Sequence, residues 1–282
     1  MTGKKHDDIT RLHAEWTALQ LLSPDDKRRL DRQFMLSFNY NSNHIEGNTL
    51  TYGQTEILLL FGKVAGDADM KDLEDMKAHN IGLRMTQDEA SRKGVPLTET
   101  FIRQLHKTLL RDDYTVAMQL PGGIQSTYTV HAGIYKTRPN SVITATGERF
   151  DYATPEETPA LMTDLVAWYN SEEAKKELST VELAAIFHYR FTRIHPFEDG
   201  NGRMARLLFN YILARHDYPM AVVKTADKNR YLMALHKADV LSGNVPSDGA
   251  HADKAQTAPF IDYMEDVVAT TLTENISFIK KK

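Results

Sequence analysis

An all-α helical bundle with one small β-hairpin is the fold this sequence predicts, on three observations. Apolar residues recur at i, i+3, i+4 and i+7 through most of the 282 residues. Helix-start signals stand where such runs begin, at Ser23-Pro24 and in the capping box from Ser179 to Glu182. Short β-prone runs punctuated by glycine and proline stand between about 120 and 155. The length allows one or two domains, but no repeat appears and no linker separates two compositions. Residues 1–282 are therefore read as a single helical domain.

A first helix is expected over 9–22, with Ile9, Leu12, Trp16, Leu19 and Leu22 on one stripe. The second has Ser23 as N-cap and Pro24 at its first position, presents Leu30, Phe34, Phe38 and Ile45, and stops at Gly47. A third begins at Thr51 and carries the apolar run from Ile57 to Phe61. The pattern continues over 68–91 and, after Pro96, over 98–111. Gly122, Gly123, Gly133, Pro139, Asn140 and Gly147 punctuate the β-prone stretch, which is expected to hold one hairpin. Helices resume at Pro155-Glu156 with Leu161, Leu165 and Trp168. The next, from Ser179, is apolar nearly all round in its Leu183–Phe187 run and is expected at the centre. Residues 241–257 read as a polar loop, and a last helix is expected over about 259–279.

Composition narrows the function classes. With 34 Lys+Arg against 38 Asp+Glu, the net charge of −4 speaks against nucleic acid or an anionic membrane as the main partner. No apolar run approaches the ~18 residues of a spanning helix, and the charged N-terminus has no signal-peptide core. A soluble, cytoplasmic protein is expected. The absence of cysteine removes disulfides, Cys-type zinc sites and thiol nucleophiles together.

The chemistry concentrates in Ile194-His195-Pro196-Phe197-Glu198-Asp199-Gly200-Asn201-Gly202-Arg203-Met204-Ala205-Arg206. Gly200-Asn201-Gly202 is a tight turn feeding a helix N-terminus, a ready anion site. Met204, Leu207, Leu208, Tyr211 and Ile212 form the core stripe of that helix, which leaves Arg203 and Arg206 together on its other side. Two cations near an N-terminus oppose the macrodipole, at about 0.3–1 kcal/mol each, unless a multiply charged anion joins them. Asp199 stands where Mg²⁺ can bridge a carboxylate to phosphate oxygens. His195 is the nearby side chain that accepts a proton at neutral pH. Together these make a phosphoryl- or nucleotidyl-transfer site.

The run from His195 to Arg206 also fits, at every specified position, the signature His-Pro-Phe-x-Asp/Glu-Gly-Asn-Gly-Arg-x-x-Arg of the Fic family, which this chain resembles over roughly 35–240. The likeness extends through residues 132–136 and the helix after the motif. It implies a helical bundle with a hairpin flap, and transfer of AMP from ATP to a protein hydroxyl. By that resemblance His195 is the general base, and Asp199 holds Mg²⁺ between the α- and β-phosphates. Gly200, Asn201 and Gly202 cradle those phosphates. Arg203 neutralises the leaving pyrophosphate, and Arg206 grips the γ-phosphate. Phe197 is expected to pack beneath the loop.

A second motif closes the second helix: Ser42, then Glu46-Gly47. From chemistry alone Glu46 reads equally as an exposed acid beside a C-cap glycine, with Ser42 on the same face, close enough to orient it. The spacing resembles the family's inhibitory motif, Ser/Thr-x-x-x-Glu-Gly/Asn, with an inhibitory helix at about 24–46. Glu46 is then expected to pair with Arg206 in the place of the γ-phosphate. The resemblance further implies a flap at about 132–146, with target docking by strand addition at Ser141, Val142, Ile143 and Thr144. Lys136 stands where relatives commonly have Arg. Tyr231 and Asp239 match positions that line the adenine and ribose pocket, although an amide is commoner than an acid at the second. His188 and His106 are expected to be packing residues.

The leading function is a Mg²⁺- and ATP-dependent protein adenylyltransferase restrained by Glu46. The alternatives are removal of AMP by hydrolysis, with Glu46 positioning water, and a non-catalytic nucleotide-binding regulator. The donor could also be another nucleotide or a phosphocholine compound, because the motif contacts phosphates and not the base. The expected partners are ATP, an unnamed target protein and, as in relatives, a second copy of the chain.

Overall fold

The structure, a computed structural model, describes residues 2–20, 22–119, 123, 125–143 and 149–281. Within them lie eleven helices and two separate two-stranded antiparallel sheets. Helix α1 (Thr2–Ala18) starts earlier and ends sooner than its apolar stripe; Leu19 and Leu22 pack on the core from the segment beyond it. Helix α2 (Pro24–Ile45) begins as expected, with the Ser23 hydroxyl accepting from the Asp26 N–H. It ends at Gly47, whose φ of 100° a side chain would oppose. A capping box of Thr51 and Gln54 opens α3 (Tyr52–Phe61). Asp69 caps α4 (Met70–Ser91), and Thr98 caps α5 (Glu99–Leu110).

The β-prone stretch holds the expected hairpin as β3 (Ser141–Ile143) and β4 (Arg149–Asp151), with Val142 opposite Phe150. A further hairpin precedes it. Strand β1 (Tyr114–Gln119) pairs with β2 (Gln125–Val130), Tyr114 opposite Val130. Its residues alternate between half-buried and exposed but are largely polar, so the period of two carries little apolar signal. Gly122, Gly147 and Thr144 lie outside the described residues.

Helices α6 (Thr158–Lys175), α7 (Thr180–Ile194) and α8 (Asn201–Arg215) build the centre. All but two residues of α7, Thr180 and Thr192, are buried, as the all-round apolar run predicts, and α8 packs along it. A 3₁₀ turn (Thr225–Asp227) leads to α9 (Lys228–Ser242), and α11 (Ala258–Lys280) closes the chain against α1.

The segment 241–257, expected as a loop, contains the short helix α10 (Pro246–Ala250) packed on α7. Two buried arginines of α7 organise it. Arg193 donates to the Gly243 and Val245 carbonyls at 2.9 and 2.8 Å, and Arg190 donates to the Ala252 carbonyl at 2.9 Å. A Cβ at Gly249 would run into the Arg193 guanidinium. The segment reads as a loop because its anchors are backbone carbonyls, which leave no apolar period. No described helix is long and apolar enough to cross a membrane.

Candidate active site

Three helix ends, those of α7, α8 and α2, converge where α7 stops. The α7 helix terminates at His195, which adopts the left-handed conformation (φ 51°) and so turns the chain sharply into Pro196. The turn is braced from beneath. Asn201 Oδ1 accepts from the Phe197 N–H at 3.0 Å, and its amide donates back to the Phe197 carbonyl at 2.7 Å. The side chain of Asn201 therefore ties the loop, and only its backbone faces the cradle. Phe197 is fully buried and stacked on His106, with ring centroids 3.6 Å apart, the packing role expected of it.

Helix α8 starts after Gly200 (φ 79°) with no side-chain cap. The first backbone N–H groups of a helix have no partner within it, so this end is an open anion nest. Arg203 and Arg206 flank it, and both are buried, so neither is a surface cation. Asp199 closes one side. Burial alone would raise its carboxyl, but Arg203, the Tyr114 hydroxyl and the Gly200 N–H outweigh burial and hold it below the usual range. The Tyr114 and Gly200 bonds are both 2.6 Å, and Arg203 Nη2 lies 3.5 Å away.

One ionised, half-exposed carboxylate beside an anion nest suits Mg²⁺, which keeps water ligands and takes others from substrate phosphate. Asp199 is the residue that could hold it. The cluster of three potential metal ligands found among the described residues, His6, Glu182 and Glu265, belongs to the other end of α7.

His195 Nδ1 is buried beside the Thr192 carbonyl and makes no hydrogen bond. Burial first, then the charge of Lys136, push the imidazole down to about 3, so it is neutral at physiological pH. Tyr152 stacks on the ring at 3.9 Å, nearly parallel.

The end of α2 enters from the opposite side. Glu46 Oε1 accepts from Arg206 Nη2 at 2.7 Å and lies against Gly202, where any Cβ would strike it. The pair implied by the family resemblance is formed. Ser42 acts otherwise than expected: it orients the arginine and not the acid. Arg206 Nε donates to Ser42 Oγ at 3.0 Å, and Nη2 donates to the Ser42 carbonyl at 2.8 Å.

The Fic/DOC family model matches residues 96–213. A Fic-domain-containing signalling protein from Bacteroides thetaiotaomicron is 52% identical, with a TM-score of 0.89 over 98% of this chain and 97% of that one. The chain belongs to the Fic family. Protein adenylyltransferase fic-1 of Caenorhabditis elegans is 29% identical over 76% of the chain, and protein adenylyltransferase Fic of Drosophila yakuba is 25% identical over 95%. The chain spans 38% and 46% of the lengths of those two relatives.

Around the Fic motif the structure adds residues that the sequence reading missed. His106, expected only to pack, has Nε2 3.0 Å from the Asp199 carbonyl, and its Nδ1 accepts from the Gly133 N–H at 2.9 Å. Lys136 is buried and donates to the Ile194 carbonyl at 2.9 Å, fixing the end of α7. Glu198 accepts from the Thr137 hydroxyl at 3.0 Å and joins the motif to the base of the flap. Tyr114 and Tyr152 each follow a short β pattern, which marks a face but not what that face meets.

Tyr231 is buried with its hydroxyl 3.0 Å from His188 Nε2, and His188 is a core residue as expected. Asp239 accepts from the Tyr189 hydroxyl at 3.0 Å and from Arg193 at 3.2 Å. Both meet residues of α7, and burial, then Asp239, push the Tyr152 phenol up to about 12. Of the flap positions, Ser141 is exposed at the start of β3, which continues through Val142 and Ile143.

Proposed function

We propose that this Fic protein transfers AMP from ATP to a Ser, Thr or Tyr hydroxyl of another protein, and that Glu46 restrains it. The observation that carries the reading is the uncapped N-terminus of α8, bordered by Arg203, Arg206 and ionised Asp199, with neutral His195 at its edge.

In this reading the backbone N–H groups of α8 and Arg203 bind the phosphates, and Arg206 takes the terminal one. Asp199 would hold Mg²⁺, which supplies charge neutralisation on the phosphates when bound. The loop fixed by Asn201 and His106 sets the α-phosphorus in line with an incoming hydroxyl. His195 Nε2 takes the hydroxyl proton as the new P–O bond forms and the bond to pyrophosphate breaks. Strand β3 would hold the target segment by strand addition.

Restraint follows from a shared partner. Glu46 occupies Arg206 Nη2, so the arginine cannot also take a γ-phosphate. The position of the Glu46 carboxylate over the start of α8 also favours a second reading, hydrolytic removal of AMP, in which Glu46 aims a water. One variant separates the two. Glu46→Gly should raise transfer and destroy removal. Incubating that protein with a panel of labelled nucleoside triphosphates in lysate, with mass spectrometry of the labelled band, identifies donor, modified residue and target. No incorporation above wild type from any donor would reject the restraint.

A further inference from the structure

Beneath the site, His79 of α4 is wholly buried, and each polar atom around it has one available role. Asn39 uses its amide protons on the Met35 carbonyl (2.8 Å) and Asn80 Oδ1 (3.0 Å). Its Oδ1 is therefore an acceptor, and His79 Nδ1, 2.7 Å away, carries the ring hydrogen. On the far side of the ring, Nε2 lies 3.0 Å from Ser42 Oγ. That oxygen already accepts from Arg206 Nε, a nitrogen that can only donate, so the Ser42 proton points at His79 Nε2. The hydrogen bonds thus run one way, from Arg206 to Ser42 to His79 to Asn39. Burial, then the charges of Arg203 and Arg206, keep the ring well below its usual range and neutral, the form this order requires.

Besides its contact with the Tyr231 side chain, Arg206 is held in two ways. Glu46 grips it from a side chain that is 40% exposed, whereas Ser42 grips it from inside, through hydroxyl and carbonyl. The inner grip does not depend on Glu46, because Asn39–Asn80 and Ser42–His79 join α2 to α4 in its absence.

We infer that His79 is a positioning residue for Arg206, acting through the Ser42 hydroxyl to aim the guanidinium at the γ-phosphate once Glu46 has left. His79 itself touches no nucleotide. The inference rests on the proposed role of Arg206 as a phosphate ligand, and it assigns His79 to nucleotide binding and not to the restraint.

The test uses the full chain carrying Glu46→Gly, with Mg-ATP affinity measured by calorimetry, which needs no turnover. His79→Leu should weaken ATP about tenfold and raise the KM for ATP to match, with kcat changed less than about threefold. His79→Gln, whose amide oxygen can still accept from Ser42, should recover most of the affinity. Ser42→Ala, which is small enough to fold normally, should weaken ATP by a similar factor, and adding His79→Leu to it should change little. Affinity unchanged in His79→Leu, equal loss in the Gln and Leu variants, or additive loss with Ser42→Ala would each overturn the inference. If ATP binds as expected but the Glu46→Gly parent labels no protein, the transfer reading fails and the positioning role stands.

Discussion

At the C-terminal end of α2 a carboxylate, Glu46, stands where the helix dipole is negative; at the N-terminal end of α8 two arginines stand where it is positive. Each end is unfavourable alone, by about 0.3–1 kcal/mol per charge, and pairing Glu46 with Arg206 relieves both. They differ in how firmly they are held. The end of α8 is buried and fixed by Asn201 and His106, whereas Glu46 is 40% exposed and stands one residue before a glycine. In the proposed reading the fixed end acts as a receptor and the looser one as a removable ligand.

The largest effect expected tests whether either end carries the chemistry. His195 caps α7 and lies on neither end, so His195→Ala in the Glu46→Gly chain should lower transfer about 10²- to 10⁴-fold while ATP affinity stays within about threefold. Incorporation that survived would move the chemistry to one of the two ends.

Removing the ligand-like end comes next. Glu46→Gly should raise labelled-ATP incorporation at least about tenfold, since relieving competition worth about 1.4 kcal/mol gives that factor. It should also lower the melting temperature without nucleotide, because buried Arg206 loses a charged partner.

Acid acts on the packing beneath both ends. Burial first lowers His106 to about 4 and His188 to about 3, so both are neutral in the native chain at pH 5. The unfolded chain protonates them near 6.5, hence stability is full above that value and lost as pH falls toward the folded values. The loss at pH 5 is at most about 2 kcal/mol each. Asp199 has the same sign in a lower window: its lowered carboxyl contributes above the ordinary value of 3.8 and is lost only as pH falls below it, so it plays no part between pH 7 and 5. Thermal melts at pH 7 and 5 should show the drop, and His188→Gln should reduce its slope by about one proton.

The smallest effect is a change of sign at the contact itself. Gly202→Ala should destabilise the wild-type chain, because the new Cβ meets Glu46 Oε1. In the Glu46→Gly chain the same change should be neutral or stabilise by up to about 1 kcal/mol, as alanine does over glycine in a helix. Destabilisation in both chains would mean that the contact is not what keeps position 202 small.

Much of this site was legible because its parts are contiguous. His195 through Arg206 lie on one turn and one helix start, where spacing fixes geometry, whereas the Glu46–Arg206 pair was implied only by the resemblance to the Fic family, because no local pattern tells which helix ends meet. Ser42 shows the limit. Its spacing from Glu46 suggested that it serves the acid, but α4 and α8 arrive on its other sides and it serves His79 and Arg206. His106, Tyr114 and Tyr152 escaped for the same reason, since each belongs to an ordinary local pattern and gains its role from a partner distant in sequence.

By itself, then, the sequence determined the helical bundle, the place of its β-rich stretch, the central position of α7 and the glycine turn that opens α8, because periodicity, caps and turns are local. Tertiary structure alone decided that α10 forms around Arg193, that His195 stacks beneath Tyr152, and that a buried histidine orders the hydrogen bonds reaching Arg206. Those depend on which groups meet across helices, and a buried polar group takes its meaning from the one donor or acceptor left to it.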